Sequence, residues 1–494
     1  MKLALVFNPF KYKMHEENLR IVQKYFGMFP PLSLAWVAAI ARRAGHEAII
    51  IDARTLNLSM EETLSRLKSY KPDIIGFMMT TYMFRDTLEW IRYLKKNLSV
   101  PVVVGGYNLR VYPKESIDHP EIDYGVIEHA LESIPQLLES LEGRRKIEDV
   151  VGIVYKKDGR ILMNPAQPVD FEKFPFPARE LLPNELYAEF PTERKNFTVM
   201  VTSLGCPYKC LFCEAGGTAY NPRSPKTVLD EMEDCYRRYG VREIDIFDYD
   251  FTADKRRVIE ICRGIKDRKL DILWACRSRI DIDLETLREM RDAGCGRVYY
   301  GIESGSEDIL DKVDKRITLD EVRETVRITK SLGMKALGFF LIGAPGENKD
   351  TVRQTVRFAK ELKLDYVQFS KCLAKPLTPL WRDLLRETGK DYWKGWIAGI
   401  EEDKVLPRPW TELTNEEIDR LAKWAYVSFH SRPEFLLRSV LRVRSFSELK
   451  RKFLGFMDMV FSQESASKAD DNFAAYNEDP ERMHFYRKIA KFKG

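Results

Sequence analysis

The segment Gly205-Cys-Pro-Tyr-Lys-Cys-Leu-Phe-Cys213 holds three thiols, Cys206, Cys210 and Cys213, at Cys-x3-Cys-x2-Cys spacing, directly after a run of strand-forming residues. Three thiolates this close can wrap one loop around a soft metal centre, and iron–sulfur clusters are ligated in this way. Zinc is the rival. A closed zinc site needs a fourth ligand, the spacing lacks paired knuckles, and the nearest histidines are His129 and His430. Three inert buried thiols are the blander alternative. A three-cysteine cluster leaves one iron open to substrate or cofactor. The other cysteines (235, 262, 276, 295 and 372) are scattered and read as packing residues, and the first 205 residues contain none. That distribution excludes a secreted disulfide framework and fits a reducing compartment.

The elements that must position this loop alternate strand with helix. From Asn196, the runs Thr198–Thr202, Glu243–Phe247, Asp271–Cys276, Gly296–Ile302, Lys335–Ile342 and Asp365–Phe369 read as strands with helical segments between them. Such βα units predict a parallel barrel, full or partial. A separate βαβ series precedes it, with strands at Lys2–Phe7, Glu47–Ile51, Ile74–Met79 and Val102–Val104. It predicts a doubly wound sheet whose ligand sits at the strands' carboxyl ends, at Asn8-Pro9, Thr80-Thr81-Tyr82 and Gly105-Gly106-Tyr107. No Gly-x-Gly-x-x-Gly follows the first strand, which weakens a generic dinucleotide reading. The expected fold is therefore α/β: a Rossmann-like domain over 1–142, a proline-rich connector over 143–196, a partial (β/α)6 barrel over 197–375 and a small helical domain over 376–494.

With 494 residues and 44% hydrophobic content, the chain is neither disordered nor fibrous, and 80 Lys+Arg against 75 Asp+Glu names no nucleic-acid partner. No apolar run approaches the roughly 18 to 20 residues of a membrane span, so a cytoplasmic protein without a signal peptide is expected. Within Leu421–Val460 the basic residues Lys423, Arg432, Arg438, Arg442, Arg444, Lys450, Arg451 and Lys452 interleave with aromatics. That stretch suits peripheral contact with an anionic membrane or, more simply, an amphipathic helix packed on the barrel.

The triplet, with Phe212 before its last cysteine, resembles the signature of the radical S-adenosylmethionine superfamily. Val201-Thr-Ser-Leu-Gly-Cys-Pro207, Tyr299-Tyr-Gly-Ile-Glu-Ser-Gly305 and Gly338-Phe-Phe-Leu-Ile-Gly-Ala-Pro-Gly-Glu347 resemble barrel strands of its cobalamin-dependent branch. Phe174-Pro-Phe-Pro-Ala-Arg179 resembles that branch's linker, and Pro31-Leu-Ser-Leu-Ala-Trp36 through Gly45-His46 resembles its cobalamin-binding domain. The resemblance covers residues 1 to 375. It implies that Cys206, Cys210 and Cys213 bind a [4Fe-4S] cluster whose open iron takes S-adenosylmethionine. It further implies Phe212 near the adenine, Glu303 on the ribose hydroxyls, and close backbone approach at Gly343, Pro345 and Gly346. Arg277 and Arg316 are candidates for the cofactor's carboxylate, with surface ion pairs as the alternative; for Glu303 the alternative is a capping or ion-pair carboxylate. Asp248, Tyr249 and Asp250, after the second barrel strand, are candidate catalytic residues or else turn acids capping the next helix.

Cobalamin contacts fall to Asn8, Thr80, Thr81, Gly105, Gly106, Tyr107 and Glu128. No Asp-x-His-x-x-Gly loop is present to ligate cobalt from below. Tyr107 replaces the family's usual proline, and Glu128-His129 stands where a glycine-rich loop is usual, so a scaffold with an emptied pocket is the alternative. The resemblance implies a C-methyltransferase acting on an unactivated carbon, supplied by an electron donor such as ferredoxin or flavodoxin. Within the class, a cyclase or ring-forming oxidoreductase is the alternative; outside it stand a radical enzyme without cobalamin and a non-catalytic iron–sulfur protein. The substrate class, whether lipid, peptide, tetrapyrrole or small metabolite, is left open.

Overall fold

The computed structural model describes residues 1–10, 27–189, 192–194, 196–398, 406–433 and 435. In the first part, β1 (Lys2–Phe7), β2 (Gly27–Met28), β3 (Glu47–Asp52), β4 (Ile74–Met78), β5 (Val102–Gly105), β6 (Tyr124–Val126), β7 (Ile153–Lys157) and β8 (Arg160–Met163) follow in chain order. All but β2 form one sheet, in the order β3-β1-β4-β5-β6-β7-β8. Its first five members run parallel, and the β7–β8 hairpin extends it antiparallel from β6. The sheet thus continues past residue 142 into the stretch read as a connector. Apolar faces on both sides explain this architecture. Helices Met60–Tyr70 and Phe84–Lys95 bury Leu64, Leu67, Leu88 and Ile91 against one face, while Leu32–Arg43 and Ala130–Leu141 cover the other.

The connector contributes β9 (Ala188–Glu189), which pairs with β2. Barrel strands β10 (Phe197–Met200), β13 (Glu243–Ile246), β14 (Leu273–Ser278), β15 (Cys295–Glu303), β16 (Lys335–Ile342) and β17 (Tyr366–Lys371) form a six-stranded parallel sheet in that order. Between them, β11 (Ser203–Cys206) and β12 (Thr218–Pro222) make a small ladder. Alternation divides each barrel strand. Trp274, Cys276, Val298 and Tyr300 face the helices, whereas Ala275, Tyr299 and Leu337 meet on the inner face. Deep inside, Arg297 pairs with Glu243 at 2.5 Å and Tyr299 donates to Glu189 at 3.1 Å, so the connector supplies part of the buried polar floor.

Beyond Lys375 the described chain is helical, at Pro379–Thr388, Tyr392–Ile397 and Asn415–His430. The last of these buries Ile418, Ala422, Ala425, Tyr426 and Phe429 in the barrel's outer core, the packing use of an amphipathic helix. Most of the basic stretch suggested for membrane contact lies outside the described residues. Among the described residues no helix is long and apolar enough to cross a membrane.

Candidate active site

The ladder of β11 and β12 shifts register between Leu204 and Cys206, and Gly205 sits in the bend at φ +74°. A Cβ there would lie 2.1 Å from the Ala219 carbonyl oxygen, so glycine is required to present Cys206. The loop then closes on itself: Cys213 N–H donates to the Cys210 carbonyl at 3.1 Å, and Gly216 N–H to that of Cys213 at 3.2 Å. Cys206 and Cys210 are buried, and Cys213 is half-buried. Burial pushes all three thiols up, Cys213 to about 11. Their ionised form therefore needs compensating positive charge, which a bound iron would supply. Three thiols spread along one loop suit ligands to separate irons.

Two cations missed by the sequence reading lie beside Cys210. Arg279 places Nη1 3.9 Å from the Cys210 sulfur, and Lys315 pairs with Glu303 at 2.9 Å. By contrast, Arg277 hydrogen-bonds Asp245 at 2.7 Å and lies 3.7 Å over the Phe247 ring, which neutralises it. Arg316 is exposed and paired with Asp314 at 2.6 Å. The sequence Arg277-Ser-Arg279 offered two cations and no means of choosing between them.

Phe212 and Trp410 both pack against one apolar cluster that includes Val313, Leu341, Ala344 and Cys372, so the cluster loop and the loop after β16 share a core. There, Gly343 and Gly346 have φ +80° and +73°. Their hydrogen side is pressed by protein: a Cβ on Gly343 would lie 2.6 Å from Ile418, and one on Gly346 would lie 2.6 Å from the Lys312 ammonium. Trp410 Nε1 donates to the Gly343 carbonyl at 2.9 Å, and Gly346 N–H to the Trp410 carbonyl at 2.7 Å, so the C-terminal segment clamps this loop. Glu347, fully buried, accepts from Gly343 and Ala344 N–H at 2.5 and 3.2 Å.

The Asp248-Tyr249-Asp250 trio separates. Asp248 is fully buried and accepts from Thr202 N–H, the Thr202 hydroxyl and the Ser203 hydroxyl at 2.6, 2.5 and 2.7 Å. It anchors the entry to the cluster loop instead of facing a cavity. Asp250 caps the turn Phe251–Ala253 through Thr252, the structural alternative set out for it. Tyr249 alone projects, 51% exposed, with its hydroxyl 3.5 Å from Glu214. Tyr107, just past the end of β5, donates its hydroxyl to the Pro376 carbonyl at 2.9 Å, and four residues on Leu380 N–H donates to the Leu211 carbonyl of the cluster loop at 3.2 Å. The segment after β17 therefore bridges the carboxyl end of β5 and the cluster loop.

At the first sheet, Asn8 is fully buried and accepts from the Thr87 hydroxyl at 3.2 Å. Thr80 caps the next turn through Met83 N–H at 3.3 Å. Gly106, at φ +116°, follows Gly105 at the end of β5, and a Cβ there would sit 2.9 Å from the Met79 carbonyl oxygen. The buried Thr81 hydroxyl and Asn108 side-chain Oδ1 have no partner among the described residues. Buried polar atoms left open at strand ends fit a polar ligand's edge, as a corrin would provide. Glu128 departs from expectation: it lies at the surface, 3.9 Å from Arg110.

Comparison with known proteins agrees with this layout. The Radical SAM superfamily matches residues 200–359, and the B12 binding domain matches residues 20–138. An uncharacterized methyltransferase of Pyrococcus horikoshii is 32% identical over 469 residues, covering 93% of this chain and 99% of that one. The anaerobic magnesium-protoporphyrin IX monomethyl ester cyclase of Rubrivivax gelatinosus is 27% identical over 373 residues, covering 72% and 67%. The cobalamin-dependent S-adenosylmethionine radical enzyme OxsB, solved with aqua-cobalamin and S-adenosylmethionine bound, shares the fold at TM-score 0.67 and 18% identity, covering 98% of this chain and 75% of that one. The chain belongs to the B12-binding branch of the radical S-adenosylmethionine superfamily.

Proposed function

We propose that this protein is a cobalamin-dependent radical S-adenosylmethionine C-methyltransferase acting on an unactivated carbon. The observation that carries the reading is that the segment after β17 ties the two sites together: its Pro376 carbonyl accepts from the Tyr107 hydroxyl at the carboxyl end of the first sheet, and its Leu380 N–H donates to the Leu211 carbonyl of the cluster loop. A corrin at the first sheet and S-adenosylmethionine at the cluster would then open onto one space, which carbon activation and methyl delivery to the same substrate demand. When bound, the cofactors supply reductive cleavage of the sulfonium to a 5′-deoxyadenosyl radical and carriage of the methyl group on cobalt. Cys206, Cys210 and Cys213 would hold the cluster, Glu303 the ribose, and Phe212 with the Gly343–Gly346 loop the adenine. Tyr249 and Glu214 would contact substrate, while Phe247, Tyr299 and Phe339 give the inner barrel an aromatic wall that excludes water. A one-electron donor of the ferredoxin or flavodoxin kind supplies the reductant.

The relatedness to a ring-forming cyclase keeps a second reading in view. Product counting separates the two. Anaerobically reconstituted protein carrying cobalamin, given reductant and S-adenosylmethionine, is expected to form about one S-adenosylhomocysteine per cobalt, together with 5′-deoxyadenosine. Deoxyadenosine without S-adenosylhomocysteine would replace methyl transfer with ring formation.

A further inference from the structure

Two buried cations approach Cys210 from different elements. Arg279, one residue past β14 and 6% exposed, holds Nη1 3.9 Å from the Cys210 sulfur. The rest of its guanidinium is fixed: it lies 3.9 Å over the Tyr208 ring, Nη2 donates to the Lys315 carbonyl at 2.7 Å, and Nε donates at 3.2 Å to Asp281, whose carboxylate is half exposed and screened by water, unlike the buried Asp245 that pairs with Arg277. Lys315 is 5% exposed and turns its ammonium to Glu303. The loop that carries Lys315 also grips the cluster loop, since Leu211 N–H donates to the Val313 carbonyl at 3.0 Å. On either side of Lys315, Asp314 and Arg316 both have φ +53°, a conformation that residues with a Cβ hold only under constraint. Main chain, ring and carbonyl thus keep one guanidinium edge on one sulfur.

Guanidinium stays charged at every relevant pH, and a charge in a dry site acts more strongly than in water. Reduction adds one negative charge to an iron–sulfur cluster, and its potential follows local net charge and hydrogen bonds to its sulfurs. A fixed cation at Cys210 therefore favours the reduced form. We propose that Arg279 is a positioning residue for the cluster: by donating to the Cys210 sulfur it raises the cluster's reduction potential, easing uptake of an electron from the donor while lowering the driving force for its onward transfer to the sulfonium. The inference rests on the reading of Cys206, Cys210 and Cys213 as cluster ligands.

The test uses full-length protein reconstituted anaerobically with iron and sulfide, without S-adenosylmethionine, and titrated electrochemically while the reduced cluster is followed by electron paramagnetic resonance. At the native midpoint, Arg279→Gln is expected to retain its iron and show a reduced-to-oxidised ratio about tenfold lower, a midpoint about 59 mV more negative. Arg279→Lys keeps the charge and should recover most of that shift. A native midpoint in a fully loaded Arg279→Gln protein overturns the proposal. Loss of iron from the Gln variant but not from the Lys variant upholds the contact, as charge needed for ligation. Loss from both assigns Arg279 to packing and overturns it. A native protein that takes up no iron defeats the cluster reading itself, and this inference with it.

Discussion

Glu303 Oε1 stands 2.9 Å from Lys315 Nζ, with the two side chains 9% and 6% exposed, and Glu303 itself has φ +71°. The pairing of β15 with β16 slips between Gly301 and Glu303, which turns the carboxylate back along its own strand. Gly301 makes room for it: a Cβ there would lie 2.7 Å from Glu303 Oε1 and 2.8 Å from Lys315 Nζ. A bulge, a glycine and a buried cation therefore fix one carboxylate at the mouth of the barrel, strain of the kind found at binding sites.

Removing one partner of this pair separates its two roles. Glu303→Gln leaves a buried ammonium without its counter-ion and should destabilise the fold by about 3–5 kcal/mol. The double variant Glu303→Gln with Lys315→Met should recover most of that stability. If Glu303 binds ribose, both variants lose S-adenosylmethionine affinity at least about tenfold, near 1.4 kcal/mol. Urea unfolding and equilibrium dialysis read the two effects. Native affinity in the double variant would confine Glu303 to folding.

Cys210→Ala tests whether the two cofactor sites are separable. The cluster loop hangs on β11 and β12, whereas Asn8, Thr81 and Gly106 belong to the first sheet. The variant should lose the iron–sulfur absorption near ~400 nm and all deoxyadenosine formation, with cobalamin binding within about twofold of native. Deoxyadenosine from this variant would refute the ligand assignment, and joint loss of cobalamin would refute the separation.

Local patterns in the sequence carried far, and their failures share one cause. The barrel strands lie within a few residues of their predicted places because each is a continuous apolar run, as at Lys335–Ile342. The cysteine triplet stood out because its three thiols share one loop. Periodicity could not say which sheet the hairpin at Ile153–Lys157 and Arg160–Met163 would join, since an antiparallel edge strand reads alike in any sheet. Asp248 looked catalytic because its acceptors' partners, Thr202 and Ser203, lie 46 and 45 residues away. Arg279 went unnoticed for the same reason: only the fold brings Cys210, Tyr208 and Lys315 around it. The sequence read only as a small helical domain over 376–494, and could not say that the apolar face of the helix Asn415–His430 would close on β17 through Tyr426, whose hydroxyl accepts from Phe369 N–H at 3.0 Å.

Gly106→Ala probes the corrin side. At φ +116° a side chain is strained, and the added methyl would press on the Met79 carbonyl, which accepts from Asn108 N–H. The loops after β4 and β5 must part, at a cost of about 1–3 kcal/mol. Cobalamin uptake should fall at least about tenfold while iron uptake stays native, because the strain is confined to the first sheet. Cobalt and iron quantification after gel filtration measures both. Undiminished cobalt would place the corrin elsewhere.

Glu347 should make stability depend on pH in an unusual direction for a carboxylate. Burial raises its carboxyl to about 8 from an ordinary value of 4.5, opposed only in part by the N–H groups of Ala344 and Gly343. Between those values the folded chain holds a proton that the unfolded chain has released. The stabilisation is therefore complete at acid pH and declines as pH rises through this window, by up to about 1.4 kcal/mol per unit. Glu347→Gln removes the titration while retaining an oxygen for the two N–H donors. Urea unfolding of the cofactor-loaded protein at several pH values between about 6 and 8 should show native stability falling relative to the variant as pH rises. Parallel curves would mean that Glu347 is ionised throughout, and that the clamp by Trp410, with the Thr411 hydroxyl donating to the Glu347 carbonyl at 2.6 Å, tolerates a buried charge.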